Sequence, residues 1–374
     1  MGRVVSIESA VCKKRSGEKP GGLPDLYDSF GDQVVVVKLV TDDGLEGVGT
    51  VLAATGTGIP LAYVRDVIAP VVLGREVHDR ERIWQELYLL NRRFGFFPLS
   101  LPGPVDVALW DIASKEAQLP LYRYLGSYRD RIPAYASSQF MPNLEDYLTQ
   151  VRRYEELGVT AYKIHPSGDW RQHLEIAEAV RHEAPKMVLM LDPALSDYSL
   201  TTAVKVGREL ERLGFHWLEE PFHDQFVGKY AELARTLDIS VCATEAAYGG
   251  PAGVAEFLRC GAADIVRADV SWKWGVTGTM KVFHLAEAFG INCELHTTLM
   301  GPMDVANLHV ACAVKNSEYF ELFAPHEQWT FPMLESLDID EAGDVHVPTE
   351  PGLGITIDWD AVDDATVAVA SAQL

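Results

Sequence analysis

The chain has 374 residues, 54 Asp+Glu against 32 Lys+Arg, and a formal net charge of −22. That excess disfavours a nucleic-acid surface, which needs clustered Lys and Arg, and 48% hydrophobic with 23% charged residues excludes wholesale disorder. No window approaches ~20 consecutive apolar residues, so neither a membrane span nor a membrane partner is expected.

At ~150 residues per domain the length suits two or three domains, or a barrel with an addition. The N-terminus lacks an apolar stretch of secretory length. The cysteines (Cys12, Cys242, Cys260, Cys293, Cys312) are scattered and form no CxxC pair. A cytoplasmic protein without a disulfide framework or zinc site is expected.

In chain order, Lys13 to Gly31 is rich in Gly, Pro and charge and reads as a loop. Gln33 to Val40 is a β-branched run; Thr41-Asp42-Asp43-Gly44 and Leu45 to Val51 complete a hairpin candidate. Ile59 to Gly126 turns helical, and Val105 to Gln118 reads as an amphipathic helix. Strands followed by helices give a small α+β domain over residues 1–130.

From Arg131 short apolar runs alternate with helical stretches. The runs are Pro133 to Ser137, Ala161 to His165, Val188 to Asp192, Trp217 to Glu219, Ser240 to Glu245, Ile265 to Asp269, Cys293 to His296 and Tyr319 to Glu321. Eight such units imply an α/β fold, a (β/α)8 TIM-type barrel, over residues 131–340. An open doubly wound sheet lacks a supporting GxGxxG. Residues 341–374 are expected to return to the cap.

From the second run onward, each candidate strand ends in an ionisable group: Lys163 with His165, then Asp192, Glu219, Glu245, Asp269, His296 and Glu321. Steps of 29, 27, 26, 24, 27 and 25 residues from Lys163 match one βα unit each. The regularity places the whole set on one rim, where barrel active sites are built. Three converging carboxylates (Asp192, Glu219, Glu245) would repel one another unless a hard divalent cation, Mg²⁺, gathers them. Lys163 would help with an anionic substrate. Lys163-Ile164-His165 projects two side chains the same way from a strand. Asp269 beside His296 would fix the imidazole tautomer and raise its pKa. Bases on two sides of a cation suit removal of a proton α to a carboxylate. Glu321 would donate a hydrogen bond if its pKa were raised enough to keep it protonated.

These residues resemble the enolase superfamily, and within it the mandelate racemase subgroup. The resemblance rests on Asp42-Asp43-Gly44-Leu45-Glu46-Gly47-Val48-Gly49, Val105-Asp106-Val107-Ala108-Leu109-Trp110-Asp111, Tyr162-Lys163-Ile164-His165, Leu191-Asp192-Pro193, Trp217-Leu218-Glu219-Glu220-Pro221, Ala243-Thr244-Glu245 and Gly275-Val276-Thr277-Gly278. The late His296 and Glu321 complete it. It implies Asp192, Glu219 and Glu245 as ligands of one Mg²⁺ per subunit, and His296 with Asp269 as a dyad. The loops at Lys13 to Gly31 and Val51 to Gly58 would close over the substrate. Dehydration of an acid sugar (an aldonate or aldarate) is the implied reaction. A racemase or epimerase, or a cycloisomerase, shares the half-reaction. A homo-oligomer, dimer to octamer, is implied by family analogy. One departure stands out: the subgroup's Lys-x-Lys is Lys-x-His here, leaving open whether Lys163 or His165 is the base on that face. Trp272 and Trp274 stand where smaller residues are usual. Tyr27, Trp170, His223 and His326 are candidate pocket residues or plain surface ones. A non-catalytic barrel scaffold is the rival of another class, and it predicts a broken constellation.

Overall fold

The computed structural model describes residues 2–13, 33–52, 58–94, 101–194, 196–297 and 301–374. The first unit pairs β1 (Val4–Lys13), β2 (Gln33–Thr41) and β3 (Glu46–Leu52) in an antiparallel sheet. The β2–β3 hairpin turns at Asp42-Asp43, with Gly44 at φ +86° supplying a conformation that side chains resist. Helices α1 (Gly58–Tyr63), α2 (Ala69–Val72), α3 (Arg80–Phe94), α4 (Pro102–Glu116) and α5 (Leu121–Leu125) follow, with a π-helical turn at Val64–Ile68.

Helix α4 differs from the amphipathic element expected for Val105 to Gln118. Nearly all of it is buried, Val105, Val107, Ala108, Leu109 and Ile112 completely, because it is sandwiched between the sheet and the second unit. On the sheet side Gly47 and Gly49 let it approach; a Cβ at either would lie 2.2 Å from the Ala108 carbonyl oxygen or 2.3 Å from that of Pro104. On the other side Asp106 accepts from the Thr277 amide at 2.9 Å and its hydroxyl at 2.7 Å.

The second unit alternates strand and helix: β4 (Arg131–Ser137), α6 (Leu144–Glu156), β5 (Ala161–Ile164), α7 (Trp170–Glu183), β6 (Val188–Leu191), α8 (Leu200–Arg212), β7 (Trp217–Glu219), α9 (Val227–Thr236), β8 (Ser240–Ala243), α10 (Pro251–Cys260), β9 (Ile265–Ala268), α11 (Gly275–Phe289), β10 (Asn292–Leu295), α12 (Pro302–Ala313) and β11 (Phe320–Phe323). The eight strands run parallel in the order β10-β9-β8-β7-β6-β5-β4-β11, a nearly closed barrel. The Thr297 amide donates to Glu321 across the β10–β11 seam at 3.2 Å.

Tyr135, Ala161, Met190, Trp217, Cys242 and Ile265 fill a layer inside the barrel. Strand side chains alternate faces, so residues two positions further on also point inward. Those positions carry the polar set: Ser137, Lys163, Asp192, Glu219, Thr244 and Arg267. The chain then adds β12 (Asp344–His346), antiparallel to β4, and α13 (Trp359–Ala365). It ends in β13 (Thr366–Gln373), antiparallel to β1 at the edge of the first sheet. Among the described residues no helix is long and apolar enough to cross a membrane.

Candidate active site and metal centre

Asp192, Glu219 and Glu245 each present a carboxylate oxygen within 4.8 Å of the other two. Asp192 follows β6 and accepts from the Ala194 amide at 2.6 Å. Burial raises its pKa, but His165, Lys163 and that amide outweigh burial and hold it below the ordinary carboxylate range. Glu219 ends β7, is fully buried, and accepts from Trp217 Nε1 at 2.8 Å.

Glu245 reaches the cluster by a different route. Cys242 and Thr244 point inward, so strict alternation would send Glu245 outward. Thr244 breaks the alternation with φ +88°, a conformation a β-branched residue adopts only under restraint. Its hydroxyl donates to the Arg267 carbonyl at 3.0 Å, and the Arg267 amide returns a bond at 3.1 Å. Burial, with Glu219 and Asp192 nearby, lifts the Glu245 pKa against the pull of His296 and Arg267.

Lys163 Nζ lies 2.8 Å from Glu321 Oε1, 3.2 Å from both Glu219 oxygens and 3.9 Å from Asp192 Oδ2. Burial and Arg267 press its pKa down; Glu219 and Glu321 outweigh them and hold it well above the usual lysine value. A fully buried ammonium held by two carboxylates is a counter-ion, not a proton acceptor.

Glu321 corrects an expectation. It sits second in β11, below the rim, with Arg267 Nη2 at 2.6 Å from Oε2 and Lys163 on Oε1. Burial raises its pKa, but Lys163, Arg267 and His296 take it well below the ordinary range. It is ionised and accepts hydrogen bonds, so it is not the protonated donor expected from the sequence.

The two histidines are arranged alike. His165 Nδ1 donates to the Ser138 carbonyl at 2.7 Å, since a carbonyl only accepts, and Nε2 lies 3.1 Å from Asp192 Oδ2. Phe140 and Phe323 flank its ring. His296 Nδ1 donates to Asp269 Oδ2 at 2.6 Å, with Nε2 3.3 Å from Glu245 Oε1. Burial lowers the His296 pKa, but Glu245 and Asp269 outweigh it and raise it to about 9. Asp269 is itself fixed by the Ser271 amide and, at 2.8 Å, the Trp272 amide.

Sequence reasoning missed Arg267. Fully buried, it bridges Glu219 (Nε, 3.0 Å), Glu321 and the Tyr135 hydroxyl (Nη1, 2.8 Å). The signal was present: an arginine inside the apolar run Ile265-Val266-Arg267-Ala268, in phase with Asp269. It also missed the fully buried Lys273. Trp274, at φ +63°, packs on Trp84 and Tyr88 of α3 and accepts from Trp84 Nε1 at 3.0 Å. His326 lies 3.0 Å from the Tyr154 hydroxyl, His223 is exposed, and Trp170 stacks under Arg171. Tyr27 and most of the two expected closing loops lie outside the described residues.

Residues 146–361 match the family described as enolase C-terminal domain-like, and residues 29–126 match the mandelate racemase / muconate lactonizing enzyme N-terminal domain. The chain therefore belongs to the enolase superfamily, in its mandelate racemase / muconate lactonizing enzyme branch. It is 30% identical to the arabinonate dehydratase of Saccharolobus solfataricus over 332 residues, 87% of this chain and 88% of that one. It is 28% identical to the D-galactarolactone cycloisomerase of Agrobacterium fabrum over 346 residues, 88% of this chain and 90% of that one. Among solved structures, the D-glucarate dehydratase from Agrobacterium tumefaciens complexed with magnesium superposes with TM-score 0.84 at 31% identity, over 98% of this chain and 99% of that one.

Proposed function

We propose that the protein is a Mg²⁺-dependent dehydratase of an acid sugar (an aldonate or aldarate). The observation that carries this reading is the pair of histidines, each with Nδ1 pinned to an acceptor and Nε2 against a different carboxylate of one cluster. The donor set fits the ion: three carboxylates supply hard oxygens, and an octahedral Mg²⁺ would take its remaining ligands from water and substrate. Asp192, Glu219 and Glu245 would hold it. When bound, the cation supplies positive charge that stabilises the anion developing on the substrate carboxylate.

The chain's own residues do the rest. Lys163 and Arg267 pair with Glu219 and Glu321 beneath the site, so opposite charges face one another in a dry interior. His296 takes or returns a proton at Nε2, and Asp269 stabilises the imidazolium through Nδ1. His165 does the same at Nε2, its tautomer fixed by Ser138. In dehydration one histidine removes the α-proton and the other protonates the departing β-hydroxyl. Residues 1–130 would cap the mouth and select the sugar, in a homo-oligomer.

Two proton handlers also suit 1,1-proton transfer, so a racemase or epimerase is the second reading; the cycloisomerase relative favours a third outcome of the same half-reaction. Incubation with Mg²⁺ and a panel of acid sugars in D₂O separates them. A keto product selects the dehydratase, and deuterium at the α-carbon without water loss selects the isomerase. A lactone formed or opened selects the cycloisomerase. No turnover together with no Mg²⁺ binding refutes the enzymatic reading.

A further inference from the structure

Lys273 lies in the turn between β9 and α11, and none of its side chain reaches solvent. Its Nζ donates to the Thr244 carbonyl at 2.6 Å and the Glu245 carbonyl at 2.9 Å. Those two carbonyls lie just after the kink at Thr244, φ +88°, and bracket the Glu245 backbone that it turns into the barrel. The Glu245 amide is tied from another direction, donating to Glu220 Oε1 at 2.6 Å. The carboxylates of Glu220, Asp269, Asp224 and Glu245 all bear on the Lys273 ammonium.

The turn that carries Lys273 is itself clamped. The Lys273 amide donates to the Asp269 carbonyl at 3.0 Å, and the Gly275 amide to Val270 at 2.6 Å. A Cβ on Gly278 would lie 1.7 Å from the Lys273 carbonyl oxygen, and one on Gly275 would lie 2.2 Å from Asp106. Trp84, on α3 of the N-terminal unit, holds the next residue, Trp274.

We propose that Lys273 is a positioning residue: by clamping the Thr244 and Glu245 carbonyls it holds a backbone kink that aims the Glu245 carboxylate at the cation. The kink runs against strand alternation and against the preference of a β-branched residue, so it persists only if the surroundings impose it. An ammonium donates strongly to carbonyls in a dry interior. A lysine serving only as a nearby charge would compete with a cation. Lys273 instead favours cation binding, because it sets the geometry of a ligand. This rests on the assignment of Glu245 as a Mg²⁺ ligand.

The test is Mg²⁺ titration calorimetry on the full-length protein, with melting temperature in EDTA as the second readout. Lys273→Met is expected to weaken Mg²⁺ binding at least tenfold. A merely structural lysine would lower the EDTA melting temperature and leave the dissociation constant unchanged. Removal of a plain positive charge would tighten binding. Either result in a folded variant overturns the proposal. If Lys273→Met does not fold, the Glu220→Gln/Lys273→Met variant, which replaces Lys273 together with its carboxyl neighbour Glu220, is compared with Glu220→Gln. The same tenfold loss supports the role, and equal or tighter binding refutes it. Failure of both to fold assigns Lys273 to the fold and refutes it too. A wild type that binds no Mg²⁺ overturns the metal reading along with this one, whereas wild-type binding unaltered in the variant overturns only the role of Lys273.

Discussion

Arg267→Met probes the charge balance under the site. In the wild type Lys163 and Arg267 face Glu219 and Glu321, two charges of each sign, all essentially inaccessible to water. Methionine keeps much of the volume but leaves two carboxylates with one ammonium and removes the donor to Tyr135. Leaving a buried charge uncompensated costs about 3–5 kcal/mol. For a chain of 374 residues, the unfolding entropy is roughly 0.8 kcal/mol/K near the melting temperature. A loss of about 4 kcal/mol then lowers the melting temperature by about 5 °C, if the chain melts as one unit. Scanning calorimetry in EDTA reads the shift free of any bound cation. The double variant Arg267→Met/Glu321→Gln restores neutrality and is expected to regain at least half of the loss, a coupling that independent sites would not show. A shift under 1 °C, or no recovery in the double variant, would refute the account of the buried network.

The other predictions concern the rim and the fold. His296→Asn should lower turnover by about 10²–10⁴-fold with the fold and Mg²⁺ affinity retained, as steady-state kinetics and calorimetry would show; full activity would remove His296 from the chemistry. Asp192→Asn should weaken Mg²⁺ binding at least tenfold, and an unchanged dissociation constant would drop Asp192 from the ligand set. His309, remote from the site, gives a pH test: Nδ1 accepts from the Tyr122 amide at 3.0 Å and Nε2 donates to the Leu353 carbonyl at 3.0 Å, so the buried ring is held neutral. Burial outweighs the Leu353 bond and lowers its pKa from 6.5 to about 4. Its stabilising contribution is therefore complete above pH 6.5 and is lost as pH falls towards 4, by about 3 kcal/mol in all. Relative to wild type, His309→Gln should flatten the fall in stability over that window; an identical pH profile would refute the assignment.

Much of this was legible in the sequence because a barrel writes its rim at regular intervals. One ionisable residue per βα unit sufficed to bring Asp192, Glu219, Asp269 and His296 to one end of the cylinder. The cap hairpin was legible from a β-branched run broken at Asp42-Asp43-Gly44. Three features were hidden for physical reasons. Glu245 was placed on the rim by its spacing, but the way it turns inward was not legible: Thr244 leaves the extended conformation and is tied to Lys273 and Arg267 from elsewhere in the chain. The ionised state of Glu321 depends on Arg267, 54 residues away, and residue type alone does not reveal which partner outweighs burial. Helix α4 looked one-sided because small residues such as Ala108 and Ala113 pack closely without scoring as strongly apolar.

The central claim is that Asp192, Glu219 and Glu245 gather one divalent cation between His165 and His296. Crystals of the protein soaked in MnCl₂ as a Mg²⁺ surrogate, with anomalous difference maps, test it most directly. The account predicts a single strong peak per subunit, bonded to one oxygen from each of the three carboxylates, with the two imidazoles on opposite sides of it. A peak bonded to other residues, or no peak in crystals where those three side chains are ordered, would contradict it.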